Sequence, residues 1–290
     1  MILIADGGST KADWILLNLE GEQVFKTRTE GLNPAVLSDD ELVRRIQANE
    51  TLAEHKGKVE KIFFYGAGCG TDKPTAALKS IFESFFINAS DVIVKEDTYA
   101  AAYAATTEPG IVCILGTGSN SCFFDGKDVH MKLPSLGYVL MDEASGNHIG
   151  KKLIRDYFYK KMPADIAKQF EEQYDVDADV IKANIYKKEN PNTYLATFAE
   201  FILANERTEY ANLVLGKVIL EFFKNRILTF EEYKTCPVHF VGSIAYFSSD
   251  IIKEVADELG VTIGKIIRRP IDGLLDYHRG LIKKNDSKLV

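Results

Sequence analysis

The sequence contains one short segment whose side chains suit phosphate chemistry, Asp6-Gly7-Gly8-Ser9-Thr10-Lys11, between two predicted strands. Glycine lets backbone N–H groups approach phosphate oxygens without a Cβ in the way, while Ser9, Thr10 and Lys11 add hydroxyl donors and positive charge. Asp6, at the end of the first strand, has the chemistry to hold Mg²⁺ through its bound water. The segment lacks the glycine spacing and the following helix of a Walker P-loop. An ordinary hairpin turn is the alternative interpretation.

A second turn of similar composition, Gly116-Thr117-Gly118-Ser119-Asn120, follows the apolar predicted strand at residues 111–115. It occupies the equivalent place in the second half of the chain. Two such turns facing one another across a cleft would hold a triphosphate from both sides. Each turn taken alone is also compatible with a plain hairpin, so the pairing carries the prediction.

An acidic residue, Asp97, follows a predicted strand at residues 92–94 and precedes an alanine-rich predicted helix at residues 98–106. This position predicts a carboxylate that projects from a strand end into the cleft. A carboxylate there can take the proton of an attacking hydroxyl during phosphoryl transfer. The alternative is that Asp97 caps the helix. Its neighbour Glu96 is expected to point the other way and to be structural.

Two further segments carry groups suited to a hydroxylated ligand. Gly137 opens a segment in which Asp142 and Glu143 are expected to start a helix, as ligands of sugar hydroxyls or of magnesium-bound water. The helix dipole alone would also favour acids there. Asn33, predicted to be exposed on a loop, can both donate to and accept from a hydroxyl or acetamido group, or else serve as a turn residue before Pro34.

A third glycine turn, Gly242-Ser243, follows the predicted strand at residues 238–241. Gly242 and Ser243 there would let an adenine or ribose lie against the backbone, although a simple strand-to-helix turn is equally compatible. The four cysteines have no C-x-x-C spacing, and the five histidines show no metal-binding spacing. Neither a zinc site nor an iron–sulfur cluster is therefore expected.

The elements that position these groups predict an α/β protein of two lobes. Each half begins with an antiparallel meander of three strands, which indicates an internal duplication. The chain of 290 residues is also longer than a typical single domain. We predict an N-terminal lobe at residues 1–108, completed by a C-terminal helix at 275–290, and a second lobe at 109–274 with a helical insert at 143–234. The boundary is placed at the Pro109-Gly110 interruption.

Composition narrows the class of partner. Apolar residues form 46% of the chain, charged residues 27%, and the net charge of −7 comes without clusters of Lys and Arg. Binding to nucleic acid or to an anionic membrane is therefore not expected. The N-terminus has no basic segment before an apolar run, and no apolar run is long enough to cross a bilayer. We expect a cytoplasmic protein with a small-molecule substrate, and the sequence leaves a homodimer open.

With these motifs in order, the sequence resembles the BadF/BadG/BcrA/BcrD-type ATPases and, within them, the N-acetylglucosamine kinases of the actin, hexokinase and heat-shock ATPase superfamily. The resemblance implies a ribonuclease-H-like fold in each lobe, ATP and Mg²⁺ as cofactors, and phosphorylation of a sugar 6-hydroxyl with Asp97 as the base. The matching segments span nearly the whole chain: the two phosphate turns, Asn33, Tyr65-Gly66-Ala67-Gly68-Cys69, Asp97, Gly137 with Asp142-Glu143, and Val241-Gly242-Ser243.

The chain departs from the family pattern at Met141 and Ala144, where glycine is usual. If either position requires a positive φ, the side chain costs on the order of 1 kcal/mol. These departures keep a sugar-sensing function open, and the resembled family itself offers another, so two other functions stay open. One is an ATPase activator of the kind that holds an iron–sulfur cluster between subunits, which the scattered cysteines do not support. The other is a sugar-sensing protein that lacks catalysis.

Overall fold

The structure, a computed structural model, describes residues 1–8, 10–203 and 207–286. The chain divides into two compact units. The first joins Met1–Ala104 to the C-terminal segment that begins at Arg269, and the second is Ala105–Arg268. The division thus falls near the end of an α-helix and just before the C-terminal helix.

The first unit contains a mixed five-stranded sheet in the order β3-β2-β1-β4-β5. The strands β1, β2 and β3 form an antiparallel meander, and β4 and β5 continue parallel to β1. Both β1 and β2 are almost entirely buried because apolar residues occupy consecutive positions and both faces are covered. The strands are β1 (Ile2–Gly7), β2 (Lys11–Leu17), β3 (Gln23–Glu30), β4 (Lys61–Gly66) and β5 (Asp91–Glu96).

Helices cover this sheet. The first begins after Ser38, whose hydroxyl accepts from the Glu41 N–H and so caps the helix. On one face, Trp14 packs with Phe64 and Phe82, and its indole N–H donates to Thr29 at 3.0 Å. The helices are α1 (Asp39–Gln47), α2 (Glu50–His55), α3 (Asp72–Phe85), α4 (Asp97–Ala105) and the C-terminal α12 (Pro270–Asp286), which contacts β1 and β2.

The second unit contains a sheet of the same design, in the order β10-β9-β6-β7-β8. Strand β6 is central, β7 and β8 run antiparallel beyond it, and β9 and β10 are parallel on its other side. This order repeats that of the first sheet and confirms the predicted duplication. The strands are β6 (Gly110–Leu115), β7 (Ser119–Phe124), β8 (Val129–His130), β9 (Val238–Val241) and β10 (Ile263–Ile267).

Between β8 and β9 the chain is helical, as expected, and its apolar faces share one core with the sheet. The α-helices of this unit are α5 (Gly146–Phe158), α6 (Ala164–Gln173), α7 (Ala178–Tyr186), α8 (Pro191–Thr197), α9 (Glu209–Phe222), α10 (Ser243–Phe247) and α11 (Ser249–Leu259). Shorter helical turns lie at Phe198–Ile202, Phe223–Ile227 and Glu231–Lys234. No helix among the described residues has the length and apolar character needed to span a bilayer.

One predicted helix start is wrong. Asp142 and Glu143 do not begin helix α5, which starts at Gly146 after the N-cap Ser145. The backbone is left-handed at Asp142 (φ 70°) and at Ala144 (φ 55°), and such a conformation cannot belong to a right-handed helix. The two acids therefore lie in an irregular turn that precedes the helix.

Candidate active site

The first glycine turn connects the central strand β1 of the first sheet to β2. The Gly8 N–H donates to the Lys11 carbonyl at 2.8 Å and closes the turn, and the Gly31 N–H donates to the Thr10 carbonyl at 3.0 Å. Lys11 is the first residue of β2 and not part of the loop, while Thr10 is exposed. The predicted ligand Ser9 lies outside the described residues.

Close packing explains why glycine stands at the end of β1. Gly7 pairs with Gly66 of β4, and both lie over the Phe64 ring. A Cβ on Gly7 would meet that ring at 2.4 Å and one on Gly66 at 2.3 Å. The Ala67 N–H also donates to the Gly7 carbonyl at 2.8 Å, so the two strand ends are joined. Gly7 therefore has a packing role whatever its backbone binds.

Asp6 is the acid nearest to this turn. It pairs with Asp13 across the β1–β2 ladder, and Arg28 contacts the Asp13 carboxylate at 2.7 Å. Burial, and then the charge of Asp13, raise the pKa of Asp6 to about 7, while Lys11 acts in the opposite direction. The pKa of Lys11 is itself lowered by desolvation and by the charge of Arg28. An added cation would favour the charged form of Asp6.

The loop at residues 66–70 brings the remaining predicted ligands of this unit together. Gly68 has a φ of 81°, and a Cβ there would overlap Asn33 Oδ1 at 2.0 Å. Asn33 is half-buried rather than exposed, because it packs against this glycine, and its Oδ1 accepts from the Ala35 N–H at 3.0 Å. Asn33 thus begins a turn and also lies beside the loop.

The same loop approaches the two acids that follow β5. Burial, and then the charges of Asp97 and Glu96, raise the pKa of Cys69 to about 12. A Cβ on Gly70 would lie 2.8 Å from Glu96 Oε1, and burial raises the pKa of Glu96. Glu96 therefore also faces this loop. Asp97 is the first residue of α4, so the helix begins one position earlier than the predicted start at Thr98.

We refer to these residues as the first-turn cluster: Asp6–Gly8, Asn33, residues 66–70 and Asp97. The 66–70 loop contacts both Gly7 and Asn33. The charge of Asp97 acts on Cys69 of the same loop. Gly7, Gly66 and Glu96 are in register at the ends of parallel strands, so these groups gather at one sheet edge. This edge is where ligands of open α/β sheets bind.

The second glycine turn connects the central strand β6 of the second sheet to β7. The Gly116 N–H donates to the Gly118 carbonyl at 3.0 Å, so the turn comprises residues 116–118. Ser119 and Asn120 belong to β7 and are buried. The Asn120 amide oxygen accepts from the Ser121 N–H at 2.9 Å. Sequence reasoning placed these two residues in the turn, because a polar pair after glycine gives no sign of burial.

Helix α5 begins directly against this turn. The Gly146 N–H donates to the Gly116 carbonyl at 2.8 Å, and the Asn147 N–H donates to the Thr117 carbonyl at 3.0 Å. Two N–H groups that an isolated helix would leave unsatisfied therefore hold the turn. The carbonyls of Gly116 and Thr117 therefore face the protein in these bonds.

Asp142 is 6% exposed, and its carboxylate lies against this turn. Oδ1 accepts from the Ser119 N–H at 3.3 Å, and Oδ2 accepts from the Asn147 side chain at 2.8 Å. A Cβ on Gly118 would lie 2.9 Å from Oδ2. Ala144, two residues after Asp142 and also left-handed, donates its N–H to His148 Nδ1 at 3.1 Å. Asp142 thus contacts the second glycine turn at Gly118 and is held by Ser119 of β7 and Asn147 of α5.

Glu143 faces the interior instead. Its carboxylate lies 3.4 Å from the Nε of Arg226, a residue with only 1% exposure. Sequence reasoning missed both Arg226 and Asn147. Arg226 follows Lys224 and Asn225, so a solvated side chain is the usual expectation and the sequence gives no sign of its burial.

The two remaining predicted glycines differ in their surroundings. Gly242 has a φ of 123°, and a Cβ there would lie 2.2 Å from the Leu115 carbonyl oxygen and 3.3 Å from the Gly116 nitrogen. Gly242 therefore lies against the second turn, and Ser243 after it is the first residue of α10. Gly137 (φ 75°) has open space around it and starts a turn closed by the Met141 N–H at 2.9 Å. Residues 116–118, Asp142, Asn147 and Gly242 form the second-turn cluster.

Within the described part of the chain, no group of three or more His, Cys, Asp or Glu side chains comes together as a metal cage. Magnesium bound with a nucleotide needs no such cage, because one or two carboxylates, phosphate oxygens and water complete its shell. Asp6, which lies near the end of β1 beside the first glycine turn, fits that arrangement, because a bound cation would offset the burial that raises its pKa.

Solved structures define the class of this fold. A proposed N-acetylglucosamine kinase from Chromobacterium violaceum matches 95% of this chain and 98% of its own (TM-score 0.73, 15% identity). A ROK-family glucokinase from Streptomyces griseus, in complex with glucose and AMPPNP, matches 95% and 97% (TM-score 0.58, 15% identity). The chain thus has the two-lobe α/β fold of actin-like sugar kinases, as the sequence predicted.

A third structure is much more similar. A proposed N-acetylglucosamine kinase from Porphyromonas gingivalis is 32% identical, with a TM-score of 0.89 over 97% of this chain and 99% of its own. The chain belongs to the same family as that protein. No family model matches the chain, so the resemblance to the BadF/BadG group stays a prediction.

Proposed function

We propose that this protein is an ATP-dependent sugar kinase and that its acceptor is an amino sugar, N-acetylglucosamine in the first place. The observation that carries the proposal is the repeated position of the two glycine turns. Each directly follows the central strand of its sheet, β1 or β6, and each is closed by a short backbone hydrogen bond. Membership in the family of the Porphyromonas gingivalis protein supports the same activity.

The nucleotide is assigned to the glycine turns. Gly8, Thr10 and Lys11 would contact phosphate groups from the first turn, with Ser9 between them, and Thr117 and Gly118 from the second. Gly242 and Ser243 would lie beside the adenosine, since Gly242 leaves no room for a side chain next to Gly116. The ATP analogue in the Streptomyces griseus glucokinase supports a nucleotide as ligand of this fold.

The acceptor is assigned to Asn33, Asp97 and Asp142, with Gly116, Asn120 and Gly137 as further candidates. Asp97 would take the proton of the attacking hydroxyl, because its carboxylate follows a strand at the sheet edge where the first turn also lies. Asp142 would accept from sugar hydroxyls, since an ionised carboxylate has about four lone-pair positions and the protein uses two.

Asp6 would hold Mg²⁺ through bound water, and Asp142 is a second candidate for that role. Bound with the nucleotide, the ion supplies the charge that neutralises the developing phosphate oxyanions. The protein's own contribution is to keep Asp6 at the end of β1, next to the turn. Ionisation of Asp6, which burial opposes, becomes favourable when the cation arrives.

A coupled assay of ADP release over a panel of sugars tests the proposal. We expect Mg-ATP to be consumed with N-acetylglucosamine and little without sugar. Slow ATP hydrolysis that ignores every sugar, together with a stable complex in pull-down experiments, would favour an ATPase activator. Measurable sugar affinity without phosphorylation would favour a sugar sensor. Either result would contradict the kinase assignment.

A further inference from the structure

Asn147 occupies a position in helix α5 that the proposed chemistry does not use. It is completely buried, so its side-chain amide must find its hydrogen-bond partners within the protein. The amide nitrogen Nδ2 donates to the Thr117 carbonyl at 2.8 Å and to Asp142 Oδ2 at 2.8 Å. One side chain therefore connects the phosphate turn to the carboxylate that we assign to the sugar.

The chemistry of both partners fixes which atom of the amide faces them. A carbonyl oxygen and an ionised carboxylate only accept hydrogen bonds, so the NH₂ group must point at them and a flipped amide would place oxygen against oxygen. The Oδ1 atom of Asn147 has no partner among the described residues. A buried amide kept in this orientation, at the expense of its own oxygen, indicates that the two bonds from Nδ2 matter.

The backbone strengthens this connection. The N–H groups of Gly146 and Asn147 donate to the carbonyls of Gly116 and Thr117, so the first turn of α5 moves with the glycine turn. The Ser119 N–H, just past the turn, donates to Asp142 Oδ1. A shift of residues 116–118 would therefore be transmitted to both oxygens of Asp142.

We propose that Asn147 is a positioning residue that couples the nucleotide to the acceptor sugar. It makes the position of the Asp142 carboxylate depend on the state of the second glycine turn. When nucleotide phosphates order that turn, Asp142 is held ready for the sugar hydroxyls. The inference rests on the proposed function, because it takes the turn as a nucleotide site and Asp142 as a sugar ligand.

The test measures sugar affinity with and without a non-hydrolysable ATP analogue and Mg²⁺, by titration calorimetry on the full chain. In the wild type the analogue should tighten N-acetylglucosamine binding at least about fivefold, within the usual range of coupling between sites. In Asn147→Ala this ratio should fall close to one. Alanine favours a helix at this position, so we expect the variant to fold.

Two further variants sharpen the test. Asn147→Asp keeps the size of the side chain but replaces both donors with acceptors, and it should also lose the coupling. Asn184→Ala is the matched control, because Asn184 lies in α7 and, among the described residues, donates to the Val180 carbonyl of its own helix. Its ratio should equal that of the wild type. If Asn147 had a purely structural role, Asn147→Ala would weaken the binding of both the sugar and the ATP analogue. The ratio of sugar affinities with and without the analogue would then stay unchanged.

The outcomes separate this inference from the proposed function. If the wild type phosphorylates the sugar but shows no coupling, or if Asn147→Ala keeps the wild-type ratio, the positioning role is wrong and the kinase assignment stands. If the wild type neither binds nor phosphorylates any sugar, the proposed function is wrong, and this inference is wrong with it.

Discussion

The carboxylate of Asp142 is in contact with the backbone of Gly118, so that a methyl group on Gly118 would lie 2.9 Å from Asp142 Oδ2. The carboxylate cannot move away freely, because the Ser119 N–H and the Asn147 amide both hold it. Two residues far apart in the sequence therefore share one small volume. The absence of a side chain at position 118 is what lets the acid approach the second glycine turn.

Gly118→Ala tests this contact. The added methyl group should push Asp142 out of place, with a cost of about 1–3 kcal/mol in the free energy of unfolding, as for other overpacked sites. We also expect kcat/KM for the sugar to fall roughly 10- to 100-fold, as estimated from a loss of about 1.4–2.8 kcal/mol of transition-state stabilisation. Urea unfolding and the ADP-release assay measure the two effects.

The matched control is Gly216→Ala in helix α9. Nothing lies within 4 Å of a Cβ at that position, so activity should be unchanged. Replacing glycine inside a helix should instead raise stability by up to about 1 kcal/mol. Equal behaviour of the two variants would show that Gly118 has no special contact with Asp142.

Asp97→Asn addresses the proposed base. Asparagine has nearly the same shape but cannot take a proton from the sugar hydroxyl, so kcat should fall by roughly 10²- to 10⁴-fold. The affinity for the ATP analogue should remain, because the glycine turns are untouched. Glu96→Gln, one residue earlier, is the comparison and should lose much less activity. Retention of most of the wild-type kcat in Asp97→Asn would exclude Asp97 as the base.

How far the sequence predicted this structure depends on the range of each interaction. The paired turns, the meanders and Asp97 after a strand were predictable, because glycine, strand patterns and caps act locally. The family pattern, with glycine usual at position 144, pointed to the positive φ of Ala144, whereas the positive φ of Asp142 was not predictable because nothing in the sequence marks it. The bonds of Asn147 and the burial of Arg226 depend on residues distant in the chain, and neighbouring residues give no sign of them.

The turn before α5 gives a prediction of its own. Ala144 is completely buried and has a φ of 55°, in the left-handed region that costs a non-glycine residue roughly 1–2 kcal/mol. Ala144→Gly removes that strain but raises the conformational entropy of the unfolded chain, which lowers the free energy of unfolding by about 0.4–1 kcal/mol. We therefore expect the free energy of unfolding to rise slightly, by up to about 1 kcal/mol.

The control is the same substitution in a right-handed helix. Ala183→Gly, within α7, should lower the free energy of unfolding by about 1 kcal/mol. The two alanine-to-glycine changes should thus have opposite signs in urea unfolding. A loss of stability in Ala144→Gly as large as that in Ala183→Gly would show that position 144 is unstrained.

A buried histidine predicts how stability depends on pH. His278 in α12 is 2% exposed, its Nε2 lies 3.1 Å from the Tyr65 hydroxyl, and burial lowers its pKa from 6.5 to about 4. The unfolded chain binds this proton more readily than the folded one. The stabilisation by neutral His278 is therefore present above pH 6.5 and is lost as the pH falls from there towards 4.

Between pH 7.5 and pH 5 this linkage amounts to about 2 kcal/mol of unfolding free energy. His278→Phe should remove that part of the acid sensitivity, although it also loses the bond to Tyr65. Tyr65→Phe removes the same bond but keeps the histidine, so it should retain the wild-type pH dependence. Urea unfolding at the two pH values distinguishes them. An unchanged slope in His278→Phe would contradict the buried neutral histidine.

The central claim is phosphoryl transfer from ATP to an amino sugar. Mass spectrometry of the products after incubation with Mg-ATP and N-acetylglucosamine tests it most directly, with Asp97→Asn as the matched reaction. We predict a sugar monophosphate, formed in step with ADP by the wild type and nearly absent with the variant. Release of ADP with inorganic phosphate alone, and no phosphorylated sugar from any member of the panel, would contradict the account.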